Sequence, residues 1–154
     1  MKLTSRDVVS FFNSPPKGIT GVLIYGNDPM RVSDKRHQFI KSLLGSNAAE
    51  EMRLARISRE NLKKEPEQAI DLCKAQGFFP GERALLIEEG NETITEIIIK
   101  AVEAWRDGDA TIVVTAGSLK PSSSLRKFFE QKKNTYSVPI YDNPMTKFEV
   151  EKII

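Results

Sequence analysis

Short apolar runs alternate with longer amphipathic windows along the chain. Five of the runs are bounded by turn residues, which is typical of strands. They are residues 21–26, 52–57, 83–88, 110–116 and 136–141. The first run is continuously apolar, as expected for a parallel strand that is covered on both faces. Pro139 lies in the fifth run and predicts an edge strand or a strand end, because proline has no N–H to donate to a neighbouring strand.

Helical periodicity fills the intervals between these runs. It predicts helices over residues 4–13, 28–45, 66–76, 93–105 and 121–133. Asp28 is a candidate N-cap, Pro29 suits the first helical position, and Gly45 suits the end of the same helix. This alternation predicts an α/β protein of three layers, in which helices cover both faces of a five-stranded, mostly parallel sheet.

The length and the end of the chain suggest how it is divided into domains. A chain of 154 residues suits one domain with a sizeable core. A new amphipathic pattern begins near Met145 and stops at Ile154. We therefore expect one domain over residues 1–143, followed at 144–154 by the truncated start of a helical domain. A terminal helix docked on the first domain is the alternative.

Composition excludes several classes of protein. The chain is 40% hydrophobic and 29% charged, which is ordinary for a soluble globular protein. No strictly apolar run exceeds four residues, far short of the roughly 20 that a membrane span needs, and no secretory signal opens the chain. Cys73 is the only cysteine, which rules out an internal disulfide and fits a reducing compartment. We expect a cytoplasmic protein that does not enter a membrane.

Candidate catalytic and metal-binding residues are scarce. His37 is the only histidine and is expected at the surface or half-buried, and Cys73 is expected in the core. No Cys/His metal cluster and no Cys–His catalytic pair can be assembled from one residue of each type. We predict no metal, no cofactor and no catalytic residue, and hence no intrinsic enzymatic activity.

The turn after the first strand has the position of a phosphate-binding loop without its residues. A P-loop that began at Gly26 would continue with a second glycine, a lysine and then serine or threonine, but these places hold Arg31, Val32 and Ser33. Pro29 also removes one backbone donor. The helix dipole would still favour binding of an anion at this helix N-terminus, but nucleotide hydrolysis does not follow from that.

Acidic residues after the third strand give a second, weaker signal of nucleotide chemistry. An apolar strand that ends in Glu88 and Glu89 superficially resembles the arrangement that holds Mg²⁺ in P-loop enzymes. Without a phosphate loop beside it, we interpret residues 88–92 as a solvated acidic turn.

Two adjacent aromatic residues occupy the segment between the helix at 66–76 and the third strand. Phe78 and Phe79 are bracketed by Gly77 and by Pro80-Gly81, so they lie in a turn or a tight loop. Phenylalanine side chains of this kind most often fold back into the core. Alternatively, they form an exposed aromatic plug that enters an apolar pocket of a partner.

A basic segment extends from residue 117 to residue 137. It contains five basic residues and one acidic residue, so it carries a net charge of +4 in a chain whose total is +2. A solvated helix face is the usual reason for such a segment. Lys120, Arg126 and Lys127 are the candidates for contact with nucleic acid or with acidic groups of a protein.

Several separated segments resemble the delta subunit of the bacterial DNA polymerase III clamp loader. They are YGNDP at 25–29, QGFF at 76–79 with RALLI at 83–87, LK at 119–120, SSLRK at 123–127, FE at 129–130, and the strand at 136–141. The resemblance covers nearly the whole chain, but only the N-terminal domain of that family, whose lid and collar domains would follow Ile154.

The resemblance implies a P-loop NTPase-like (AAA+-like) domain with a degenerate P-loop that does not bind ATP. It also implies a role in DNA replication, as a non-catalytic subunit of a DNA-directed DNA polymerase (nucleotidyltransferase) holoenzyme in the cytoplasm. The N-terminal domain of this family binds the beta sliding clamp and opens its ring for loading onto primed DNA. The other clamp-loader subunits, gamma/tau and delta prime, would be bound through domains beyond this chain. Primed DNA would be bound by the full complex.

The resemblance also assigns the clamp contact. In this family a Leu-Phe pair enters a hydrophobic pocket of the clamp, and Phe79 matches that phenylalanine. Phe78 stands where leucine is common, and Gln76 stands where an apolar contact residue is found. Lys120, Arg126 and Lys127 match the family without a contact being assigned to them.

Two alternatives share the predicted fold class. One is a nucleotide-binding ATPase of the P-loop type. The other is a response-regulator-like switch module, which needs an acidic cluster at the strand ends together with a lysine. The region of Asp28 supplies only part of such a cluster.

Overall fold

The computed structural model describes residues 1–16, 18–45, 53–75 and 82–140, except for the side chains of Ser5 and Arg6. The strands are β1 (Gly21–Gly26), β2 (Leu54–Ser58), β3 (Ala84–Gly90), β4 (Thr111–Ala116) and β5 (Thr135–Ile140). The helices are α1 (Ser5–Asn13), α2 (Pro29–Leu44), α3 (Arg59–Lys64), α4 (Gln68–Lys74), α5 (Thr95–Glu103) and α6 (Ser124–Gln131), with a 3-10 turn at Glu92–Ile94.

The five strands form one sheet in the order β2-β3-β4-β1-β5, and every neighbouring pair is parallel. The predicted α/β class and five-stranded sheet are therefore confirmed. β5 lies at one margin of the sheet and Pro139 is its next-to-last residue, so the prediction of an edge strand or a strand end is confirmed. The backbone at Lys2 forms a parallel bridge with Ser137 of β5, and the Leu3 amide donates to the Ser137 carbonyl at 2.9 Å.

Helices cover both faces of this sheet, because alternate side chains of each strand point to opposite sides. On one face, α1 and α2 pack over Val22 and Ile24 of β1, with Phe12 and Phe39 fully buried. On the other face, α3, α4, α5 and α6 cover Leu23 and the alternate residues of β3 and β4. Burial on both faces explains why the strands are continuously apolar.

The structure has one helix that the periodicity did not predict. α3 begins directly after β2, where the Ser58 hydroxyl accepts a hydrogen bond from the Asn61 amide at 3.2 Å. Leu62 is its one buried residue, and it is fully enclosed. A helix of six residues with one apolar anchor has no detectable period. α4 then begins at Gln68, two residues later than predicted from Pro66.

Two predicted helices are shorter in the structure. The first turn of the predicted 93–105 helix is a 3-10 turn, with Asn91 as its cap. The predicted 121–133 helix begins only at Ser124, because Ser123 is its N-cap and accepts a hydrogen bond from the Arg126 amide. Residue 52 and residues 141–154, including the predicted start of a following domain, lie outside the described residues. None of the described helices is long and apolar enough to cross a membrane.

Candidate functional site

A cavity of about 530 Å³ opens where the carboxyl ends of β1, β3 and β4 meet, which we call the carboxyl end of the sheet. β1 leads into α2 on one face, whereas its neighbour β4 leads into α6 on the other. Parallel sheets commonly bind ligands at such a point, where adjacent strands send the chain to opposite faces. The cavity therefore has the position of a binding site, and its chemistry depends on its lining.

The N-terminus of α2 at this cavity is capped by a carboxylate of the chain itself. Asp28 Oδ1 accepts hydrogen bonds from the Met30 amide at 3.0 Å and the Arg31 amide at 3.4 Å. These amides are the donors that a helix N-terminus offers to a phosphate. The predicted N-cap role of Asp28 is confirmed, and its negative charge opposes a bound anion at this place.

Gly26 serves the packing of the sheet. A Cβ built on it would lie 2.5 Å from the carbonyl oxygen of Ile140 in β5, closer than real Cβ contacts. The absence of a side chain at Gly26 is thus explained by the approach of a neighbouring strand, and no phosphate cradle is needed to explain it.

Charged side chains of both signs line the cavity. Arg36 donates to the Ser33 hydroxyl at 2.8 Å, and Arg59 donates to the backbone carbonyl of Glu89 at 2.9 Å. Glu88 forms an ion pair with Arg56 of β2 at 3.4 Å. Two arginines and two glutamates leave the lining without net charge. In the described parts of the chain, no group of three or more His, Cys, Asp or Glu side chains could hold a metal ion.

Glu92 is exposed, as expected for the solvated acidic turn predicted at residues 88–92, but it also has a structural role that the sequence did not reveal. Its carboxylate accepts hydrogen bonds from the backbone amide of Ser124 at 2.6 Å and from the hydroxyls of Ser123 and Ser124 at 2.9 and 2.8 Å. Glu92 thereby caps α6, which lies more than 30 residues further along the chain. Desolvation raises the pKa of Glu92, but the hydrogen bonds from Ser124 and Ser123 outweigh it and lower the pKa below its ordinary value. No local sequence signal connects these residues.

A second polar cluster lies at the opposite, amino end of the sheet, where β2, β3 and β4 begin. Asp109 Oδ2 accepts from Lys74 Nζ at 2.7 Å and from the Arg106 amide at 2.9 Å. Desolvation raises the pKa of Asp109, but the hydrogen bonds from Lys74 and Arg106 lower it by a larger amount. The pKa of Asp109 is therefore below its ordinary value. Lys74 also donates to the Ala104 carbonyl at 2.9 Å. This cluster joins the end of α4 to the turn before β4.

Arg83 extends the same cluster toward the predicted clamp-binding segment. Its guanidinium donates to the carbonyl of Ala75, to that of Gly108 at 2.7 Å and to that of Cys73 at 3.5 Å. The sequence alone identified Arg83 as the start of a strand and gave no sign of these contacts.

Gln76, Phe78 and Phe79 lie outside the described residues. Their described neighbours on either side, Ala75 and Glu82, both lie at the amino end of the sheet. The described residues that flank the predicted segment therefore lie at the end of the sheet remote from the cavity.

The three basic candidates differ in their surroundings. Lys120 and Lys127 are exposed. Arg126 instead has only 14% of its side chain exposed, pairs with Glu130 at 2.9 Å, donates to the Leu119 carbonyl and lies over the Tyr25 ring. The structure thus separates two accessible lysines from an arginine with intramolecular contacts.

The remaining candidates have the expected environments. His37 is exposed on α2, and Cys73 is 2% exposed. Burial raises the pKa of the Cys73 thiol to about 12, with a smaller contribution from Asp109. A thiol with this pKa is a poor nucleophile near neutral pH.

The fold and these two ends define the class of protein: a three-layer α/β domain with an all-parallel sheet and a cavity at its carboxyl end. Comparison of the chain with protein-family models and with curated proteins found no match to either. The function is therefore argued from the residues and their geometry.

Proposed function

We propose that this chain is a clamp-binding domain of the delta-subunit type, an AAA+-like domain that acts in DNA replication by protein–protein binding. Its partner is the beta sliding clamp, one interface of which it would hold open while partner subunits use ATP. The observation that carries the proposal is the sequence of residues 76–87, where QGFF precedes the strand RALLI as in the clamp-contacting region of that family.

The position of the strand supports this assignment. β3 lies inside the sheet, paired with β2 on one side and β4 on the other, and Ala84 to Ile87 are completely or almost completely buried. A segment that precedes such a strand is attached to a rigid element, which favours precise presentation of a binding group. Phe78 and Phe79 are proposed as the two anchors, with Gln76 beside them.

The degenerate phosphate loop supports a role without ATP hydrolysis. The amides of Met30 and Arg31 are hydrogen-bonded to Asp28, and Val32 stands where a P-loop has its lysine. We therefore expect no thermal shift with millimolar ATP and Mg²⁺. A shift of several degrees would instead favour the P-loop ATPase alternative, whose site would be the cavity at the carboxyl end.

Replacement of both aromatic anchors tests the proposal directly. Phe78→Ala together with Phe79→Ala should weaken binding to a bacterial beta clamp by thirtyfold or more, because loss of a buried aromatic anchor typically costs about 2 kcal/mol. Surface plasmon resonance measures the affinity, and circular dichroism measures the fold. Met30→Ala is the matched control, since Met30 is apolar, 75% exposed and at the opposite end of the sheet. Equal affinity of the wild type and the double variant would refute the assignment of the anchors.

The basic surface has a place in the same proposal. Lys120 and Lys127 are the exposed basic side chains of this surface. They would contact primed DNA in the full complex or an acidic surface of a protein. Arg126 is proposed to contribute through the stability of α6, given its internal contacts with Glu130 and Leu119.

A further inference from the structure

We infer that the cavity at the carboxyl end of the sheet binds a small organic carboxylate, which the guanidinium groups of Arg36 and Arg59 would hold. The volume of about 530 Å³ lies within the range of about 300–1,000 Å³ that is common for small-molecule sites. This site is separate from the proposed clamp contact, and it does not depend on the proposed function.

Arg36 lies within the face of α2 that packs on the sheet. Val32, four residues before it, and Ile40, four residues after it, are 5% and 7% exposed, and Phe39 is fully buried. Residues at this spacing share one side of a helix. Packing does not explain an arginine among them, because a half-buried charge loses part of its hydration and an apolar side chain does not. The bond from Arg36 to the Ser33 hydroxyl directs its side chain toward the start of α2, where the cavity lies.

The positive charges of Arg36 and Arg59 are not neutralised within the described parts of the chain, where neither guanidinium forms an ion pair with a carboxylate. Arg36 donates to the Ser33 hydroxyl at 2.8 Å, and Arg59 donates to the Glu89 carbonyl at 2.9 Å. Because a guanidinium has several N–H donors, each arginine retains donors for a ligand. The opposite holds for Glu88 in the same lining, which is paired with Arg56.

Thr115 supplies a further donor to the same cavity. It lies near the carboxyl end of β4, two residues after Val113, so its side chain points to the face of the sheet that α2 covers. Thr115 is 9% exposed, and its hydroxyl forms no hydrogen bond with the described residues. Buried hydroxyls usually have a partner, and a carboxylate oxygen in the cavity would provide one.

The other groups around the cavity favour a carboxylate over a phosphate. Guanidinium groups bind both anions through paired hydrogen bonds. A phosphate at a helix N-terminus also uses the backbone amides, but those of Met30 and Arg31 are bonded to Asp28. Glu88 and Glu89 line the cavity as well, and they would repel a polyphosphate with several negative charges. A carboxylate has one charge and needs no backbone donors.

The test titrates the full chain with succinate, glutarate and benzoate by isothermal titration calorimetry, with inorganic phosphate and ATP with Mg²⁺ as comparison ligands. We expect saturable binding of at least one carboxylate with a millimolar or lower dissociation constant, and no saturable binding of phosphate or ATP. Binding of phosphate or ATP without binding of a carboxylate would overturn the assigned ligand class. Absence of binding by all three carboxylates would overturn the site.

Variants of Arg36 separate ligand binding from a structural role. Arg36→Leu should weaken carboxylate binding about tenfold or more, because a charge-assisted hydrogen bond is lost, and should unfold at the same or a higher temperature, because leucine suits the apolar face of α2. Arg36→Lys keeps the charge without the planar fork and should bind with intermediate affinity. Lys41→Gln is the matched control, since Lys41 is exposed on the same helix and its replacement should leave binding unchanged.

Two results would contradict the role of Arg36: carboxylate binding by Arg36→Leu that equals that of the wild type, or a clear loss of stability in Arg36→Leu that Lys41→Gln does not share. The affinity of Arg36→Leu for the beta clamp should equal that of the wild type, because the cavity lies away from the flanks of the proposed clamp contact. Failure of the proposed function would thus be seen in clamp binding, and failure of this site in carboxylate binding.

Discussion

The two ends of the sheet use polar side chains in different ways. At the carboxyl end, Asp28 and Glu92 each cap a helix that begins there, and a cavity lies between the first of these helices, α2, and the strand ends. At the amino end, Arg83 and Lys74 donate mainly to backbone carbonyls and fix the flanks of one segment. The end with the cavity thus has the N-termini of α2 and α6 capped by carboxylates of the chain, whereas Ala75 and Glu82, which flank the proposed binding segment, lie at the opposite end.

This contrast changes the expectation that a cavity at the carboxyl end marks the functional site. That expectation holds for parallel sheets in general. Here Gly26 is required by the neighbouring strand, and the donors at the start of α2 are already bonded to Asp28. The cavity therefore has the position of a ligand site, and the clamp-binding role proposed above does not use it.

The largest effect is expected at Gly26. Gly26→Ala should lower the free energy of unfolding by about 3 kcal/mol, because the new Cβ would lie 2.5 Å from the Ile140 carbonyl oxygen and would push β5 away from β1. Chemical denaturation measures this change. Gly117→Ala is the control at the same end, where an added Cβ meets nothing within 4 Å. If both variants were equally stable, the structural explanation of Gly26 would fail and a ligand-related one would gain support.

An intermediate effect is expected at the amino end. Asp109→Asn should lower the free energy of unfolding by about 1.5 kcal/mol, because it removes the charge from a largely buried side chain that is bonded to Lys74 and to the Arg106 amide. Thermal and urea denaturation measure it. Asp107→Asn, in the same turn and exposed, should change stability by less than about 0.5 kcal/mol. A loss at Asp107 as large as that at Asp109 would contradict the assigned contacts.

A smaller effect is expected at Glu92, together with a characteristic pH dependence. Glu92→Gln should cost about 1 kcal/mol near neutral pH, because the charged cap of α6 is lost from an exposed site that solvent partly screens. Since folding lowers the pKa of Glu92 below 4.5, its stabilisation is present above that pH and is lost as the pH falls through the folded-state pKa.

The stability difference between the wild type and Glu92→Gln should therefore shrink on acidification below about pH 4.5. Urea denaturation at a series of pH values measures it, with Glu96→Gln as the control, since Glu96 is exposed in the first turn of α5. A difference that stays constant down to pH 2.5 would show that the carboxylate of Glu92 does not cap α6 through its charge.

The sequence predicted the local elements well where the periodicity was strong. All five strands occur close to the predicted positions, and the caps at Asp28 and Gly45 are in place, because such signals depend on residues close together in the chain. α3 was missed because a six-residue helix with one buried leucine shows no period. The proposed binding residues Gln76, Phe78 and Phe79 came from the sequence and its resemblance alone.

By itself, the sequence determined the class of fold, the restriction of Pro139 to an edge strand or a strand end, and the absence of a lysine at position 32, since each follows from residue types at short spacing. Only the tertiary structure decided that Glu92 caps α6, that Arg126 is engaged within the domain while Lys127 is accessible, and that Arg83 joins Ala75 to Gly108. Glu92 with Ser124 and Arg83 with Gly108 join elements that packing of the sheet brings together, whereas Arg126 pairs with Glu130 one turn further along its own helix. Hydrogen bonds between residues distant in the chain leave no periodic trace in the sequence.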